Sequence, residues 1–329
     1  MSVITAAYNA ASFIEATLRS ALDQTLRDLE LIVIDDGSKD ATAEVVARLA
    51  SEDSRVRLIS QTNRGLAATR NRGVLEARGA LIAFLDHDDL WHPEKLALQA
   101  AALDADPAAA VASCYSALLD EQHRCTGWRY GGDANGDVYA EMLEWDMVSG
   151  GSVALVRREA LDAVGPFDES LPMRSDWDMW IRLARRYRFV TVPRTLVGYT
   201  RSAFSSSRGY ERMAEAGRLV LEKVASEDPE FRGMTRRFCS ARDLFAVTSA
   251  CTIDGEVGLA WRYLARSLAM TPAPVLVSPR RWALLAMLAL RTVLPAPLYR
   301  AALTALNQVS FDLPPGRPFS TLVSSDRGL

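Results

Sequence analysis

The sequence is poor in the residues that build metal clusters and disulfide frameworks. Its three histidines are too few and too scattered for a histidine-rich site, and its four cysteines form no C-x-x-C pair and have no histidine at zinc-ligand spacing. Lysine and arginine total 38 against 41 aspartates and glutamates, a net charge of -3. Because there is no broad positive field, nucleic acid is not expected as a partner.

Long apolar runs are absent as well. The run at 282–290 (WALLAMLAL) has nine residues, whereas a helix that spans a bilayer needs about 20. No basic segment followed by a long apolar stretch occurs at the N-terminus, so the sequence predicts a cytoplasmic protein. The chain has 329 residues, 49% of them hydrophobic, which is enough for a sizeable core in one large or two modest domains.

The first hundred residues alternate between short apolar strands and helical segments. Strands are predicted at 3–7, 30–36, 56–60 and 81–85, and helices at 42–50, at 66–77 and after a capping box of Ser12 and Glu15. This alternation is typical of a doubly wound, mostly parallel α/β sheet flanked by helices. Strands near 111–115 and 151–156, with helices after Arg158 and Ser175, are expected to continue the same domain.

Polar residues cluster where the predicted strands end, at 8–9, 35–38 and 86–89. Sheets of this kind bind ligands in the crevice at the carboxyl ends of their strands. Neither G-x-G-x-x-G nor G-x-x-x-x-G-K-[ST] occurs, which argues against a dinucleotide-dependent dehydrogenase and against a P-loop NTPase.

Beyond about residue 205 the pattern changes. Residues 206–309 have the pattern of amphipathic helices, and 310–329 are rich in proline, serine and glycine, which predicts a disordered tail. The sequence therefore predicts an α/β domain over 1–205, divided into 1–100 and 101–205, followed by a C-terminal helical extension and the tail.

Asp86 and Asp88 follow a predicted buried strand, and in an extended segment such i and i+2 side chains point the same way. Together with Asp89 they concentrate negative charge, which favours a hard divalent cation such as Mn2+ or Mg2+ with oxygen ligands. The alternative is that these aspartates cap the next helix, which is predicted to start at Pro93. The D-x-D pattern alone favours neither interpretation.

Four segments occur in order over about a hundred residues: SVITAAYNAASFIEATLRSALDQT, ELIVIDDGSKD, NRGLAATRNRG and GALIAFLDHDDLWHPEKL. Together they resemble the N-terminal half of a family 2 glycosyltransferase of the GT-A fold. The resemblance continues more loosely through GGSVALVRREALDAVGPFDESL and SDWDMWIRLARR to about residue 200.

The resemblance implies a nucleotide-sugar donor in the N-terminal crevice, with a UDP-sugar favoured. Tyr8 would stack near the base, Asp36 would accept the base N–H, and Arg70 would lie near the base or the diphosphate. Asp86 would contact the ribose and the metal, and Asp88 would be the direct metal ligand. The implied cofactor, Mn2+ or Mg2+, would stabilise the negative charge that develops on the leaving diphosphate.

The resemblance also implies direct displacement with inversion, which needs a base for the acceptor hydroxyl. Asp176 occupies the family's base position, although in the first turn of a helix it could instead complement the helix dipole. Ser175 and Asp178 match a capping box, so Asp178 is expected to be structural. Trp177 is predicted on the acceptor side. Where relatives often have Y-R-x-H, this chain has Tyr199-Thr200-Arg201-Ser202, so the resemblance assigns Arg201 to the diphosphate.

The implied function is transfer of a sugar to a hydroxyl of a saccharide or lipid-linked saccharide, in cell-surface polysaccharide or glycoconjugate synthesis. Two alternatives remain: a nucleotidyltransferase that makes a sugar nucleotide, and a degenerate, non-catalytic scaffold. The first would require a Gly-rich basic loop after the first strand, where the sequence reads AYNAA. The second is disfavoured because all four aspartates of the implied site are present.

The segment 280–308 predicts a peripheral membrane contact at the inner face of the cytoplasmic membrane. Its apolar run lies between basic residues, Arg280 and Arg281 on one side and Arg291 and Arg300 on the other, a pattern typical of helices that lie in an anionic interface. Burial against the catalytic domain or in a dimer explains the same composition equally well.

Overall fold

The computed structural model describes residues 1–201, 209–231, 234–271 and 279–295, together with Leu298 and Phe319. The strands are β1 (Ser2–Ala7), β2 (Glu30–Asp35), β3 (Val56–Ser60), β4 (Leu81–Phe84), β5 (Leu90–Trp91), β6 (Ala109–Leu119), β7 (Cys125–Tyr130), β8 (Leu155–Arg157) and β9 (Arg188–Thr200). The helices are α1 (Ile14–Leu22), α2 (Thr42–Glu52), α3 (Leu66–Glu76), α4 (Lys95–Ala105), α5 (Tyr139–Glu144), α6 (Arg158–Val164), α7 (Ser175–Ala184), α8 (Tyr210–Glu227), α9 (Met234–Asp254), α10 (Val257–Met270) and α11 (Pro279–Val293).

One sheet runs through the first two hundred residues, in the order β3-β2-β1-β4-β8-β6-β9-β5, with β7 beside β6. Its N-terminal half, from β3 to β4, is entirely parallel. The other half is mixed, because β8 and β5 run antiparallel to their neighbours while β6 and β9 are parallel. The predicted α/β class is confirmed, and helices follow the sheet in the C-terminal part.

The core lies on both faces of the parallel half. Leu31, Ile32, Val33 and Ile34 of β2 are each fully buried, as an apolar run between two helical layers requires. Burial of each such side chain contributes about 1.5–3 kcal/mol. This half of the sheet is therefore the rigid platform on which the strand-end loops are built.

Two helix starts differ from the capping boxes predicted for them. Helix α1 begins at Ile14, and the carbonyl of Ala10 accepts hydrogen bonds from the amides of Phe13 and Ile14, so the side chain of Ser12 is not needed as a cap. Helix α7 begins at Ser175 itself, with Arg174 as the preceding residue and no side-chain cap. Local pattern identified both helices but placed their caps wrongly.

Helices α8 to α11, called the helical extension below, follow the last strand. Their own core includes Leu244, Val247 and Leu264, whereas Val220 and Leu221 of α8 join the main core. The boundary near residue 205 and the other domain limits stay predictions. No helix in the described part of the chain is long and apolar enough to cross a membrane.

One residue of the predicted disordered tail is described. Phe319 is 3% exposed and packs against Ala117, Leu119 and Cys125, and its amide donates to the carbonyl of His123. The disordered tail over 310–329 stays a prediction. The rest of 310–329 lies outside the described residues.

Candidate active site

Three predicted polar clusters lie at one edge of the sheet, because β1, β2 and β4 are parallel and end there. Tyr8 follows β1 and is 42% exposed. Asn9 ties this loop to the next: its amide donates to Ser38 Oγ at 3.0 Å, and its Oδ1 accepts from the amide of Lys39 at 2.9 Å. The exposed tyrosine ring therefore stands on a braced pair of loops at the crevice.

Asp36 is buried and holds the loop that leads into α3. Its Oδ1 accepts from Gln61 Nε2 at 2.8 Å and from the amide of Arg64 at 2.9 Å, and its Oδ2 accepts from the amide of Gly65 at 2.9 Å. A carboxylate has about four lone-pair sites. Three are used within the protein, so Asp36 retains acceptor capacity for one further N–H donor.

Arg70 lies in the interior and not on a solvated helix face. Its side chain is 3% exposed and its Nη2 donates to Asp86 Oδ1 at 2.7 Å. The guanidinium lies 5.9 and 5.6 Å from the ring centroids of Phe84 and Phe167. A Cβ added to Gly151 would come within 2.7 Å of Nη2, so a side chain at this position would force the guanidinium to shift. Arg70 thus fixes the carboxylate of Asp86 from the protein interior.

The charge of Arg70 joins two parts of the chain that are far apart in sequence. Burial acts to lower its pKa, but the negative charges of Asp86 and Asp176 outweigh burial and raise it. Since a buried guanidinium stays protonated, Arg70 supplies a permanent positive charge between the D-x-D loop and the first turn of α7.

The D-x-D loop is held by Ser152 and by β9. The amide of Asp86 donates to Ser152 Oγ at 3.0 Å, and the carboxylate of Asp89, 1% exposed, accepts from the amide of Thr200 at 3.0 Å. Helix α4 begins at Lys95 after Glu94, so none of the three aspartates caps it. The capping alternative is therefore excluded for this loop.

Negative charge in this loop exceeds what the protein compensates. Burial raises the pKa of Asp88, and the charge of Asp86 adds to the effect against an opposing contribution from His87. Burial and the charges of Asp88 and Asp86 raise the pKa of Asp89 well above its ordinary value. A cation at the loop would relieve this repulsion.

The residues present fit a hard divalent cation with incomplete protein coordination. Among the described residues no group of three or more histidine, cysteine, aspartate or glutamate side chains is arranged to hold a metal by itself. Asp86 and Asp88 offer the carboxylate oxygens that Mn2+ and Mg2+ take. Such an ion would need further oxygen ligands from a bound molecule, for which a diphosphate is suited.

Asp176 lies in the first turn of α7, and its Oδ1 accepts from the amide of Trp177 at 2.9 Å. Its charge acts on both Arg70 and Asp146. Asp178, two residues on, pairs with Arg182 at 2.9 Å and with Lys223 at 2.9 Å, in keeping with the structural role expected of it. The two aspartates of the motif thus have different surroundings, and only Asp176 faces the cluster.

Asp146 belongs to the cluster and was not identified from the sequence. Its Oδ1 accepts from the amides of Val148 and Ser149 at 3.1 and 2.9 Å, which closes a turn. Burial, followed by the charge of Asp176, raises the pKa of Asp146 to about 7. The sequence signal was an aspartate before Ser-Gly-Gly, which indicates a turn but not its partner 30 residues away.

Left-handed backbone also concentrates at this site. Four described non-glycine residues have positive φ. Three of these, Asn9, Ser149 and Arg174, lie within three positions of a residue of the candidate site. Such conformations persist only where surrounding contacts enforce them, and they are common at functional sites. The strained positions mark the same edge as the charges.

Two residues with predicted ligand contacts are buried in the structure. Trp177 is 1% exposed and its Nε1 donates to the carbonyl of Met142 at 2.8 Å, so its ring has no face open to an acceptor. Arg201 is also buried, and its Nη2 donates to Asp254 Oδ2 at 2.6 Å in the helical extension. That pairing accounts for its position, and the assignments of Trp177 and Arg201 to ligand contacts stay predictions.

The sequence matches a known family over this same region. Residues 2–165 match the family model described as glycosyl transferase family 2. A Bacillus subtilis protein named as a teichuronic acid biosynthesis glycosyltransferase, TuaG, is 40% identical over 100 residues, which cover 30% of this chain and 40% of TuaG. The matched stretches span only 26–40% of the length of the first three curated relatives.

Solved structures with the same fold cover nearly the whole chain. Residues 1–349 of TarS from S. aureus superpose with a TM-score of 0.57 at 20% identity, covering 93% of this chain and 91% of that one. The mannosyltransferase PcManGT from Pyrobaculum calidifontis gives 0.59 at 24% identity, covering 94% and 86%. At these identities the similarity establishes the GT-A fold alone. Together with the family match, it shows that the chain belongs to glycosyltransferase family 2.

Proposed function

We propose that this protein transfers a sugar from a nucleotide-diphospho-sugar, with a UDP-sugar favoured, to a hydroxyl of a saccharide or lipid-linked saccharide. The reaction is a direct displacement that inverts the anomeric centre. The observation that carries the proposal is the buried Arg70, which is bonded to Asp86 of the D-x-D loop and electrostatically linked to Asp176. Donor-side and acceptor-side carboxylates thereby belong to one site.

The donor half is assigned to the loops after β1 and β2. Tyr8, exposed at the crevice, offers a flat ring for a base, and Asp36 offers one remaining acceptor position. Two structural neighbours were solved with nucleotide sugars, TarS with UDP-GlcNAc and PcManGT with GDP-Man and Mn2+. These complexes support a donor of the same chemical class here.

Asp88 and Asp86 would hold the divalent cation. When bound there it supplies a Lewis acid that stabilises the charge developing on the leaving diphosphate. The protein's own contribution is to orient Asp86, since Arg70 donates to its carboxylate and Ser152 Oγ accepts from its amide.

Asp176 is the proposed base. The acceptor oxygen forms a bond to the anomeric carbon while the bond to the diphosphate oxygen breaks, and the hydroxyl proton passes to the Asp176 carboxylate. Asp146, with its raised pKa, lies beside it and lessens the like-charge repulsion at neutral pH when protonated.

The acceptor class is proposed from the family context. The name of TuaG refers to the synthesis of a cell-surface polymer, which supports a related role in polysaccharide synthesis. Peripheral membrane contact through 280–308 is proposed from the sequence pattern only. The side chain of Trp282, residues 296–297 and residues 299–308 lie outside what the structure describes.

The test is a thermal-shift screen of UDP, GDP, dTDP and CDP with and without Mn2+, followed by release of the nucleoside diphosphate from the matching nucleotide sugars. A nucleotide that raises the Tm only with Mn2+, with turnover lost in EDTA, is expected. NMR of the product should show the anomer opposite to that of the donor. A retained configuration, or full activity in excess EDTA, would refute the mechanism.

A further inference from the structure

Helix α9 of the helical extension carries two buried aspartates that each pair with an arginine of the catalytic region. Asp243 pairs with Arg174, and Asp254 pairs with Arg201. The aspartates are eleven positions apart, which is about three helical turns, so they lie on one face of α9. Both of the arginines that they bind adjoin an element of the active site.

The first pair holds the N-terminus of α7. Arg174 precedes Ser175 in a left-handed conformation, with φ 59°, and its guanidinium lies 5.3 Å from the centroid of the Trp177 ring. Its Nη1 donates to Asp243, which is 5% exposed. Arg174 is thereby fixed on both sides, and Asp176 follows two residues later.

The neighbouring helix α8 leaves room for this ion pair at a glycine. A Cβ added to Gly217 of α8 would collide with the carboxylate of Asp243 and lie 3.0 Å from Arg174 Nη1. Lys223, also in α8, bonds Asp178 at 2.9 Å. The first turn of α7 is therefore held by two helices of the extension.

The second pair holds the end of β9. Arg201 is 6% exposed and its partner Asp254 is 4% exposed, and Tyr210 also donates to Asp254. Immediately before Arg201, the amide of Thr200 donates to Asp89 in the D-x-D loop. The chain of contacts thus runs from α9 through the end of β9 to the aspartate cluster.

We propose that α9 is a positioning element of the active site, with Arg174–Asp243 orienting the base Asp176 and Arg201–Asp254 orienting the metal-binding loop through Thr200 and Asp89. This inference rests on the proposed function. The effects of the two ion pairs can be measured separately, because Arg174–Asp243 acts on the acceptor side and Arg201–Asp254 on the donor side.

The test uses the full-length protein and two measurements: the affinity for UDP and for GDP with Mn2+, by calorimetry, and the kcat for nucleoside diphosphate release from the best nucleotide sugar. Substitution of a residue that orients a metal ligand typically lowers affinity or activity by about 10–100-fold. Asp243→Asn should lower kcat about tenfold or more with nucleotide affinity within about twofold. Asp254→Asn should weaken nucleotide–Mn2+ affinity about tenfold.

Tyr139→Phe is the matched control. It removes the 2.8 Å hydrogen bond from Tyr139 to Asp228, another contact between the catalytic region and the extension, without touching the site. It should leave both measurements unchanged. If Asp254→Asn does not fold, Arg201→Lys keeps the charge but loses the guanidinium geometry, and should weaken nucleotide affinity at near-normal Tm.

Parallel losses of affinity and kcat in both aspartate variants, or values equal to the control, would overturn the inference. So would unchanged affinity in a folded Arg201→Lys variant. The proposed function would instead be refuted if the wild-type protein neither bound nucleotide with Mn2+ nor released nucleoside diphosphate from a nucleotide sugar. Failure of the inference and failure of the proposed function are therefore distinguishable.

Discussion

Two aspartate loops lie at the same edge of the sheet and are built in opposite ways. Asp36 receives three hydrogen bonds from its own protein. In the Asp86–Asp89 loop, burial and mutual repulsion raise the pKa of Asp88 and of Asp89. Asp36 stabilises the fold by organising a neighbouring loop, whereas the second loop accumulates charge that the protein leaves for a ligand to neutralise.

The difference indicates how a site divides structural and chemical tasks. A carboxylate satisfied by backbone amides is oriented before any ligand arrives. A crowded pair of carboxylates costs free energy in the ligand-free protein and repays it only when a cation binds. Substitutions in the two loops should therefore separate stability from activity.

Asp88→Asn should have the largest effect on activity. Lewis-acid stabilisation is worth several kcal/mol, and each 1.36 kcal/mol is tenfold in rate, so turnover should fall about a thousandfold. Because the substitution removes repulsion, the metal-free variant should have an unchanged or higher Tm. Steady-state kinetics and calorimetry without metal test both statements, and a clear loss of Tm would contradict the comparison of the two loops.

Asp176→Asn should come next. A positioned general base contributes about 10²–10⁴-fold, so transfer should fall by that factor while nucleotide affinity stays near the wild-type value. Asp178→Asn is the matched control on the same helix turn, since its partners are Arg182 and Lys223. Asp178→Asn should lower the Tm, and it should reduce the transfer rate much less than Asp176→Asn does. Joint loss of nucleotide affinity and transfer in Asp176→Asn would reassign that residue to structure.

Asp36→Asn should show the reverse of Asp88→Asn. An amide places an NH2 group where one of three donors now points, and an unsatisfied buried polar group costs about 1–3 kcal/mol. Chemical denaturation should therefore show a loss of that size. Binding of the nucleotide base should weaken as well. A variant of normal stability would mean that the loop before α3 does not depend on this carboxylate.

The smallest expected effect concerns the membrane. The full-length protein should pellet weakly with anionic liposomes at low salt, and less at high salt, because the attraction is partly electrostatic. A chain truncated after about residue 278 should not pellet. Equal behaviour of the two chains would mean that the apolar run at 282–290 serves packing alone.

The parallel half of the fold and its strand-end carboxylates could be predicted because their signals are local. A buried strand followed by Asp86-x-Asp88 is visible within ten residues. The sequence also singles out Arg70, but the burial of this residue depends on Phe167 and Gly151, which lie in loops from the other half of the sheet. Pattern identified the residue and only tertiary structure identified its contact.

The contacts that the sequence did not reveal share a physical cause. The apolar positions of α7 predicted a buried face, but periodicity alone does not tell whether Trp177 lies at the rim or inside. Arg201 has its partner 53 residues away in α9, and Asp146 acts on a residue 30 positions away. Charge interactions across such distances in sequence are set by the packing of helices and strands, which composition and spacing do not encode.

The eleven-residue separation of Asp243 and Asp254 restricts which insertions and deletions this chain can tolerate. One inserted residue between them would rotate Asp254 by about 100° around the helix axis and move it about 1.5 Å along it. Adding about a whole turn would restore its direction but displace it by about 5.4 Å. Surface loops commonly change length without loss of function, whereas this stretch of α9 should be fixed in length, since both of its ends are bound to the catalytic region.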